Sequence, residues 1–216
     1  KNVLITGIFG QDGSFLAKSL IKKGYKVYGA ARRGANLKSD RLRYLGIIND
    51  VEIKNIEITE FSNIIRHLEE IKPDAIFNLA AQSFVQDSFF NPHMTTHINY
   101  LGVLNLYEAV RFLKLNCNIY QASTSEMYGK ILETPQTENT PFNPQSPYGV
   151  SKLAAHYLGM NYRDSYNLNI SNGILFNHES ELRGREFVTR KITSQLVEVK
   201  NNKRDFVVLG NLDAVR

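Results

Sequence analysis

The sequence has very little cysteine and no tryptophan. Cys117 is the only cysteine among 216 residues, which excludes an internal disulfide and a metal site built from several cysteines. Such sparse use of cysteine is typical of a reducing compartment. Cys117 lies where a strand is predicted to start, so a packed thiol is the expected role.

Long apolar runs and a targeting segment are also missing. No stretch approaches the ~20 consecutive apolar residues of a membrane span. The N-terminus lacks the charged, apolar and small-residue order of a secretory signal. We therefore expect a cytoplasmic protein with no membrane partner. The chain opens at a lysine and stops at Arg216, which suggests a processed or partial chain.

No dense tract of one charge is present. The formal net charge is +5, but 26 basic residues are dispersed among 21 acidic ones. That pattern argues against nucleic acid as a partner and suits a polyanionic small molecule equally well. With 43% hydrophobic residues, the chain can bury a sizeable core.

The most informative segment is a glycine run near the N-terminus. An apolar strand, Asn2 to Thr6, leads into Gly7, Gly10 and Gly13 and then into an amphipathic helix. A dinucleotide site needs a sharp turn, bare backbone at the pyrophosphate and close helix packing at these three points. An ordinary turn is the alternative interpretation of these glycines.

Strand and helix patterns alternate along the chain, which predicts a Rossmann-type, doubly wound parallel sheet. Predicted strands are Asn2 to Thr6, Tyr25 to Ala30, Val51 to Asn55, Ala75 to Leu79, Asn118 to Ala122 and Asn169 to Ile174. Predicted helices include Glu60 to Ile71, Thr95 to Leu115, Pro147 to Asn167 and Glu186 to Asn201.

Two segments lie outside this alternation. Residues Lys130 to Gln145, rich in proline and polar side chains, predict a loop near the site, with a plain surface loop as the alternative. From residue 176 the pattern changes, so we expect a dinucleotide-binding domain over 1–175 and a partial substrate-binding lobe over 176–216. A short strand, Phe206 to Leu209, is predicted in that lobe.

Tyr148 and Lys152 lie four residues apart on a predicted helix and so share one face. A nearby ammonium lowers the pKa of a phenol, which makes tyrosine usable as a base. Upstream, a hydroxyl-rich run with Thr124 and Glu126 follows a predicted strand. Carboxyl ends of parallel strands bind ligands, so Thr124 can hold a substrate hydroxyl against Tyr148.

These features resemble the extended short-chain dehydrogenase/reductase family. Within it, the stretches 6–14, 78–83, 120–126, 173–180 and 187–192 are similar to the GDP-mannose 4,6-dehydratase family. The resemblance implies an NADP-dependent lyase that converts GDP-alpha-D-mannose to GDP-4-keto-6-deoxy-D-mannose and water. It also implies a homo-oligomer, a dimer or tetramer.

The resemblance also implies roles for individual residues. The catalytic residues would be Thr124, Glu126, Tyr148 and Lys152, with Tyr148 taking the O4 proton and Glu126 the C5 proton. The cofactor would contact Gly7, Ile8, Phe9, Gly10, Gln11, Asp12, Gly13, Glu57, Ile58, Leu79, Ala80, Ala81, Gln82, Ser83, Lys152, His178 and Arg183. The substrate would contact Ser83, Asn177, Lys191 and Arg216.

The choice of cofactor follows from residue chemistry. After the second predicted strand, where an NAD enzyme offers a carboxylate to the ribose, this chain has Arg32 and Arg33. Guanidinium groups suit a 2′-phosphate, which favours NADP. Two solvated arginines are the alternative reading. The histidines outside residue 178 show no metal-ligand spacing with carboxylates, and we expect no metal.

Three other functions stay open. Glu181 departs from the family pattern, so a GDP-manno-heptose 4,6-dehydratase is possible. A nucleotide-sugar epimerase or reductase of the extended family would use the same Tyr148 and Lys152, but an epimerase needs no C5 base. A noncatalytic NADP-binding regulator is the candidate from a different class.

Overall fold

The computed structural model of the protein describes residues 1–34, 39–210 and 212. The chain divides into two compact units, Lys1–Phe176 and Asn177–Arg216. The first unit contains the sheet, and each unit is described by itself.

Six parallel strands form one sheet in the order β3-β2-β1-β4-β5-β6. Their bounds are β1 (Asn2–Thr6), β2 (Lys26–Ala31), β3 (Val51–Asn55), β4 (Ala75–Asn78), β5 (Asn118–Thr124) and β6 (Ile170–Leu175). The order reverses between β1 and β4, which opens a crevice at the carboxyl ends of these strands. The predicted fold class is confirmed, and each strand predicted in this unit is present with ends shifted by at most two residues.

Helices cover both faces of the sheet. The helices of the first unit are α1 (Gln11–Lys22), α2 (Asp40–Tyr44), α3 (Phe61–Ile71), α4 (Val85–Phe90), α5 (Pro92–Thr96), α6 (Gly102–Phe112) and α7 (Pro147–Tyr166). The second unit, described separately, contains α8 (Val188–Lys200). Over the ranges that the structure describes, no helix has the length and apolar character needed to cross a membrane.

Two buried clusters hold the helices on the sheet. On one face, Leu68 of α3 and Leu106 of α6 pack with Leu4 and Ile76 of the central strands. On the other face, Ala17 of α1 joins a separate cluster built on β1 and β2. Strands covered on both faces read as continuous apolar runs, which is why β1 was evident from sequence.

Local signals fix the ends of the main helices. Ser146 precedes α7, and its side chain accepts a hydrogen bond from Gly149 N at 3.0 Å, while Pro147 occupies the first helical turn. Asn167 ends α7 with φ of 55°, in the left-handed region. Gly24 follows α1 with φ of +80°, also in the left-handed region.

The prediction of one helix from Thr95 to Leu115 is wrong in detail. The chain instead runs through α5, a π turn at His97–Leu101 and then α6. Asn99 lies in this π turn and is 1% exposed, and its side chain forms hydrogen bonds with the backbone of Gln82. A π turn accommodates an extra residue, which a regular helical period does not reveal.

The second unit contains α8 and the segments on either side of it. The strand predicted at Phe206 to Leu209 is absent, because the described residues 206–210 pair with no strand. Instead, Val208 N donates to Gln195 Oε1 of α8 at 2.9 Å, and the Phe206 side chain is exposed. Apolar residues alone predict a strand here, but a strand also needs a partner strand, and these residues have none among the described segments.

Candidate active site

The glycine turn after β1 has a geometry that side chains would prevent. Gly7 has φ of +69°, and Gly10 N donates to Gly7 O at 2.9 Å. A Cβ at Gly13 would overlap the Gly7 carbonyl oxygen and lie 2.9 Å from Ile8 Cα. A Cβ at Gly10 would meet only that carbonyl, at 3.1 Å, among the described residues. The surface of the turn is therefore bare backbone where a phosphate can approach.

The start of α1 adds backbone donors to this turn. No side chain of the described residues caps α1 at Gly10, and the positive end of the helix dipole at this terminus favours an anion. Gln11 and Asp12 form the first turn, and Gln11 Nε2 donates to Asp12 Oδ1 at 3.3 Å. Ile8 and Phe9 are buried in the core below and anchor the turn.

The loop after β4 lies directly against the glycine turn. Thr6 Oγ1 accepts hydrogen bonds from Leu79 N at 3.1 Å and Ala80 N at 3.0 Å. A Cβ at Gly7 would lie 2.9 Å from Ala80 N, so glycine permits this approach. Ser83, farther along the loop, is exposed. The structure therefore brings together two of the segments that the sequence assigns to the cofactor.

A buried chain of polar side chains connects β1, β4 and β5 beneath that loop. Thr6 Oγ1 donates to Asn78 Oδ1 at 2.6 Å, and Asn78 Nδ2 donates to Gln121 Oε1 at 2.7 Å. Tyr107 OH of α6 donates to the same Gln121 oxygen at 3.3 Å. Satisfied buried networks fix a unique geometry. None of these four residues was assigned a role from the sequence, although the polar side chains within the apolar strands β1, β4 and β5 are a usable signal.

One arginine contacts the glycine turn, and two others follow the neighbouring strand β2. Arg32 and Arg33 follow β2 and are exposed, as a ligand-binding role requires. Arg41 of α2, which sequence analysis missed, donates from Nη1 to Phe9 O at 2.8 Å. Leu42 beside it is fully buried and holds α2 against the core. The contact joins residues that are far apart in sequence, so no local sequence pattern predicts it.

Glu57 and Ile58 make contacts within the first unit, and their predicted contact with a cofactor stays a prediction. The Glu57 carboxylate accepts a hydrogen bond from Thr59 Oγ1 at 3.0 Å, within its own turn. Ile58 is buried, and its side chain would lie 2.8 Å from a Cβ at Gly102. The Ile58 side chain therefore acts as a packing residue against α6.

Tyr148 and Lys152 share the buried face at the start of α7. Tyr148 is 8% exposed and Lys152 4%. Lys152 Nζ donates to Ala122 O of β5 at 2.5 Å. Burial lowers the pKa of Lys152 to about 8. The charged form of Lys152 and the ionised form of Tyr148, on the same face of α7, would favour each other.

Lys152 should leave a pH signature in stability. Its pKa falls from 10.5 to about 8 on folding. Between those values the unfolded chain holds a proton that the folded chain has released, so stability rises with pH. We expect the free energy of unfolding of the wild type, relative to Lys152→Met, to increase by on the order of 3 kcal/mol between pH 7 and 10.5. Chemical denaturation across this range measures it.

An exposed lysine provides the control for this titration. Lys18→Met removes a lysine from the exposed side of α1 and should preserve the wild-type pH dependence. Parallel curves for the wild type and Lys152→Met would contradict the shifted pKa.

Thr124 and Glu126 lie against the first turn of α7. A short 3₁₀ turn, Ser125–Met127, follows β5, and Thr124 Oγ1 accepts a hydrogen bond from Glu126 N at 3.2 Å. A Cβ at Gly149 would lie only 2.8 Å from Glu126 O, so the absence of a side chain there permits close contact. The backbone of Glu126 therefore packs beside the residue that follows Tyr148. The structure brings together the segments that carry all four predicted catalytic residues.

Asn99 of the π turn links the β4 loop to α7 and was also missed. Asn99 Oδ1 accepts from Gln82 N at 2.9 Å, and its Nδ2 donates to Gln82 O at 3.0 Å. The same Nδ2 lies 3.2 Å from Ser151 Oγ, which donates to Tyr148 O at 2.8 Å. One buried amide thus fixes the loop and the helix relative to each other.

The remaining predicted residues lie in the second unit. Asn177 and His178 are exposed. Arg183 pairs with Glu179 at 3.4 Å, and its guanidinium lies 3.6 Å from the centre of the Phe187 ring. These contacts order Arg183 inside its own unit. Its predicted contact with a cofactor stays a prediction.

Two substrate predictions remain to be placed. Lys191 lies half-buried on α8 of the second unit, and Arg216 lies outside the described residues. Among the His, Cys, Asp and Glu side chains that the structure describes, no group of three or more could hold a metal ion.

Comparison with known proteins identifies the family to which the chain is similar. The sequence model of the family described as GDP-mannose 4,6 dehydratase matches residues 4–216. A GDP-mannose 4,6-dehydratase of Vibrio cholerae is 46% identical over all of this chain, which spans 60% of that relative. The human GDP-mannose 4,6 dehydratase is 44% identical over 99% of this chain, which spans 59% of its length.

A solved structure supports the same fold. The UDP-glucuronic acid 4-epimerase of Bacillus cereus, in complex with UDP-glucuronic acid and NAD, superposes with a TM-score of 0.80 at 25% identity. The alignment covers 92% of this chain and 63% of the epimerase. With the family match over nearly its whole length, the chain belongs to the GDP-mannose 4,6-dehydratase family.

Proposed function

We propose that the protein is a GDP-mannose 4,6-dehydratase that converts GDP-alpha-D-mannose to GDP-4-keto-6-deoxy-D-mannose and water. The observation that carries this proposal is the packing of the Glu126 turn on Gly149, next to Tyr148. The carboxylate carried by that turn and the tyrosine–lysine pair would together supply two bases for two carbons of one sugar. The chain spans about 60% of the relatives it matches, so the activity belongs to the whole protein.

The first unit fits a nicotinamide dinucleotide. Bare backbone at Gly10, close to the start of α1, suits a pyrophosphate. The exposed Arg32 and Arg33 favour NADP over NAD, since guanidinium groups bind a 2′-phosphate in a bidentate manner. Arg41 adds a third cation close to the turn. When bound, the cofactor would accept hydride from C4 of the sugar and later return it to C6.

Tyr148 and Lys152 would perform the first proton transfer. Tyr148, as the phenolate, takes the proton from the O4 hydroxyl and becomes a neutral phenol, and the ammonium of Lys152 favours the phenolate before the transfer. Thr124 holds the hydroxyl in line with Tyr148. The Lys152 contact with Ala122 fixes the ammonium at the end of β5.

Glu126 would act on the neighbouring carbon. A ketone at C4 acidifies C5, and Glu126 removes that proton. Glu126, with help from Thr124, then delivers a proton to the C6 hydroxyl, which leaves as water. When hydride is returned to C6, C5 would take up a proton that comes from solvent, which completes the 6-deoxy product. The Glu126 N–H bond to Thr124 places both groups on one rigid turn. No other carboxylate is required for this sequence.

The second unit would complete the substrate site in the full protein. We propose that Asn177, Lys191 and Arg216 contact the GDP part and that His178 and Arg183 contact the cofactor. Ser83 on the β4 loop would meet both ligands. A homo-oligomer in the cytoplasm, without nucleic acid or membrane as a partner, fits a family of this kind.

The arginine pair gives a direct test of the cofactor. An Arg32→Gln, Arg33→Gln double variant should bind NADP about 10- to 100-fold more weakly, because hydrogen bonds to charged groups are lost. Its affinity for NAD should change less than about twofold. Fluorescence titration with each cofactor measures both. Arg66→Gln, an exposed arginine on α3, is the control; equal losses for NADP and NAD would contradict the proposal.

The activity itself is tested by proton NMR with NADP and GDP-mannose in deuterated water. A new C6 methyl signal together with deuterium at C5 is the expected result. If GDP-mannose is unchanged and a GDP-linked manno-heptose reacts instead, the substrate is the heptose. Turnover of neither sugar would favour an epimerase or a noncatalytic regulator.

A further inference from the structure

His156 is a buried histidine that the proposed reaction does not use. It follows Lys152 by four residues, as Lys152 follows Tyr148, so all three side chains lie along one face of α7. His156 is 8% exposed. A polar side chain is costly to bury unless it is hydrogen-bonded, so its partner is informative.

That partner is Ser123 of β5. Ser123 Oγ lies 2.9 Å from His156 Nδ1, and the serine is 3% exposed. Ser123 directly precedes Thr124. Two successive strand residues are thereby tied to α7, since Lys152 bonds Ala122 O and His156 bonds the Ser123 side chain.

The backbone of His156 is fixed independently. Asn172 Nδ2 of β6 donates to His156 O at 2.9 Å. The approach depends on Gly159, where a Cβ would lie 2.7 Å from Asn172 Oδ1. The ring also meets the Phe142 ring edge-on, with centroids 5.5 Å apart. The imidazole therefore reaches Ser123 from a preorganised position.

Burial and the charge of Arg163 lower the pKa of His156. The ring is therefore neutral near pH 7, with one nitrogen carrying a proton and the other free to accept. Either tautomer can bond Ser123, because the hydroxyl can donate or accept. The hydrogen bond between Ser123 and His156 therefore forms with a neutral imidazole and puts no second positive charge near Lys152.

We infer that Ser123 and His156 form a positioning pair that holds the end of β5, and through it Thr124 and Glu126, in place against Tyr148. The inference rests on the proposed function. Thr124 follows Ser123 directly, and its side chain orients the Glu126 turn. Tyr148 is positioned separately, by the capped start of α7. Loss of the pair should therefore impair the step that uses Glu126 more than the step that uses Tyr148.

The test follows both steps in one experiment. With excess enzyme, NADP and GDP-mannose, absorbance at 340 nm rises when C4 is oxidised and falls when C6 is reduced after elimination. We expect Ser123→Ala and His156→Leu each to slow the fall about tenfold, since even ~1 Å of misplacement can cost ~10²-fold. The rise and the KM for GDP-mannose should change less than about twofold. The double variant should be no slower than either single variant.

Conservative replacement separates positioning from packing. His156→Asn keeps an amide where Nδ1 lies and should restore the fall to within about threefold of the wild type. His93→Asn, an exposed histidine on α5, is the matched control. An unchanged fall in Ser123→Ala, or effects that multiply in the double variant, would overturn the inference. So would equal slowing of both phases. Ser123→Ala decides the question if His156→Leu fails to fold.

A second readout does not depend on the reaction. Nitrogen-15 NMR of the histidine rings reports the tautomer and hydrogen bonding of His156 directly. Ser123→Ala should shift the Nδ1 signal of His156 and leave that of His93 unchanged. If the wild type fails to eliminate water from GDP-mannose but this shift appears, the proposed function fails and the pair stands. If the shift is absent, the pair itself is refuted.

Discussion

A Tyr148→Phe variant should bind NADP as the wild type does and lose about 10²- to 10⁴-fold of its turnover of GDP-mannose. The change removes one oxygen and keeps the ring that is packed at the start of α7. The O4 proton then has no acceptor, so C4 is not oxidised. In single-turnover measurements at 340 nm, the rise as well as the fall should be lost.

A tyrosine on the same helix serves as the control. Tyr157 is 52% exposed, and Tyr157→Phe should leave both phases unchanged. Normal oxidation of C4 by Tyr148→Phe would show that another group takes the proton. Weakened NADP binding by Tyr148→Phe would instead indicate a role for the phenol in holding the cofactor.

Much of the first unit was predictable because its signals are local. The glycines after β1 need a positive φ or close approach, and these requirements fall within a few residues. Ser146 and Pro147 mark the start of α7 in the same way. Tyr148 and Lys152 follow from helical spacing alone. Turns, helix starts and residues on one helix face can therefore be predicted from short stretches of sequence.

Contacts between distant segments were not predictable in this way. Arg41 meets Phe9, and Asn99 meets Gln82, only because the fold brings their elements together. Neither residue differs by type from the solvated arginines and asparagines elsewhere in the chain. The π turn that positions Asn99 also has no distinct residue pattern. The roles of Arg41 and Asn99 therefore depend on tertiary packing.

Predicted contacts of residues 177–216 depend on the whole protein. The family resemblance assigned Asn177, Lys191 and Arg216 to substrate, yet this chain spans only about 60% of its relatives. The apolar run at Phe206 to Leu209 illustrates the difficulty. A strand needs a partner strand as well as suitable residues, and residues 206–210 have none among the described segments.

Glu126→Gln should separate the two halves of the reaction. The amide keeps the size of the side chain but cannot remove the C5 proton, so elimination should slow about 10²- to 10⁴-fold. C4 oxidation should proceed near the wild-type rate, because Tyr148 and Lys152 are unchanged. Absorbance at 340 nm should therefore rise and stay high.

Proton NMR of the same reaction should show no C6 methyl signal and no deuterium at C5. Glu138→Gln, an exposed glutamate in the loop after β5, is the control and should give wild-type product. Unchanged release of 6-deoxy product by Glu126→Gln would exclude Glu126 as the C5 base. A variant that also fails to oxidise C4 would show that Glu126 is needed to place the sugar. The expected combination, a lasting rise without a methyl signal, distinguishes a dehydratase from an epimerase, since an epimerase has no step for this carboxylate to perform.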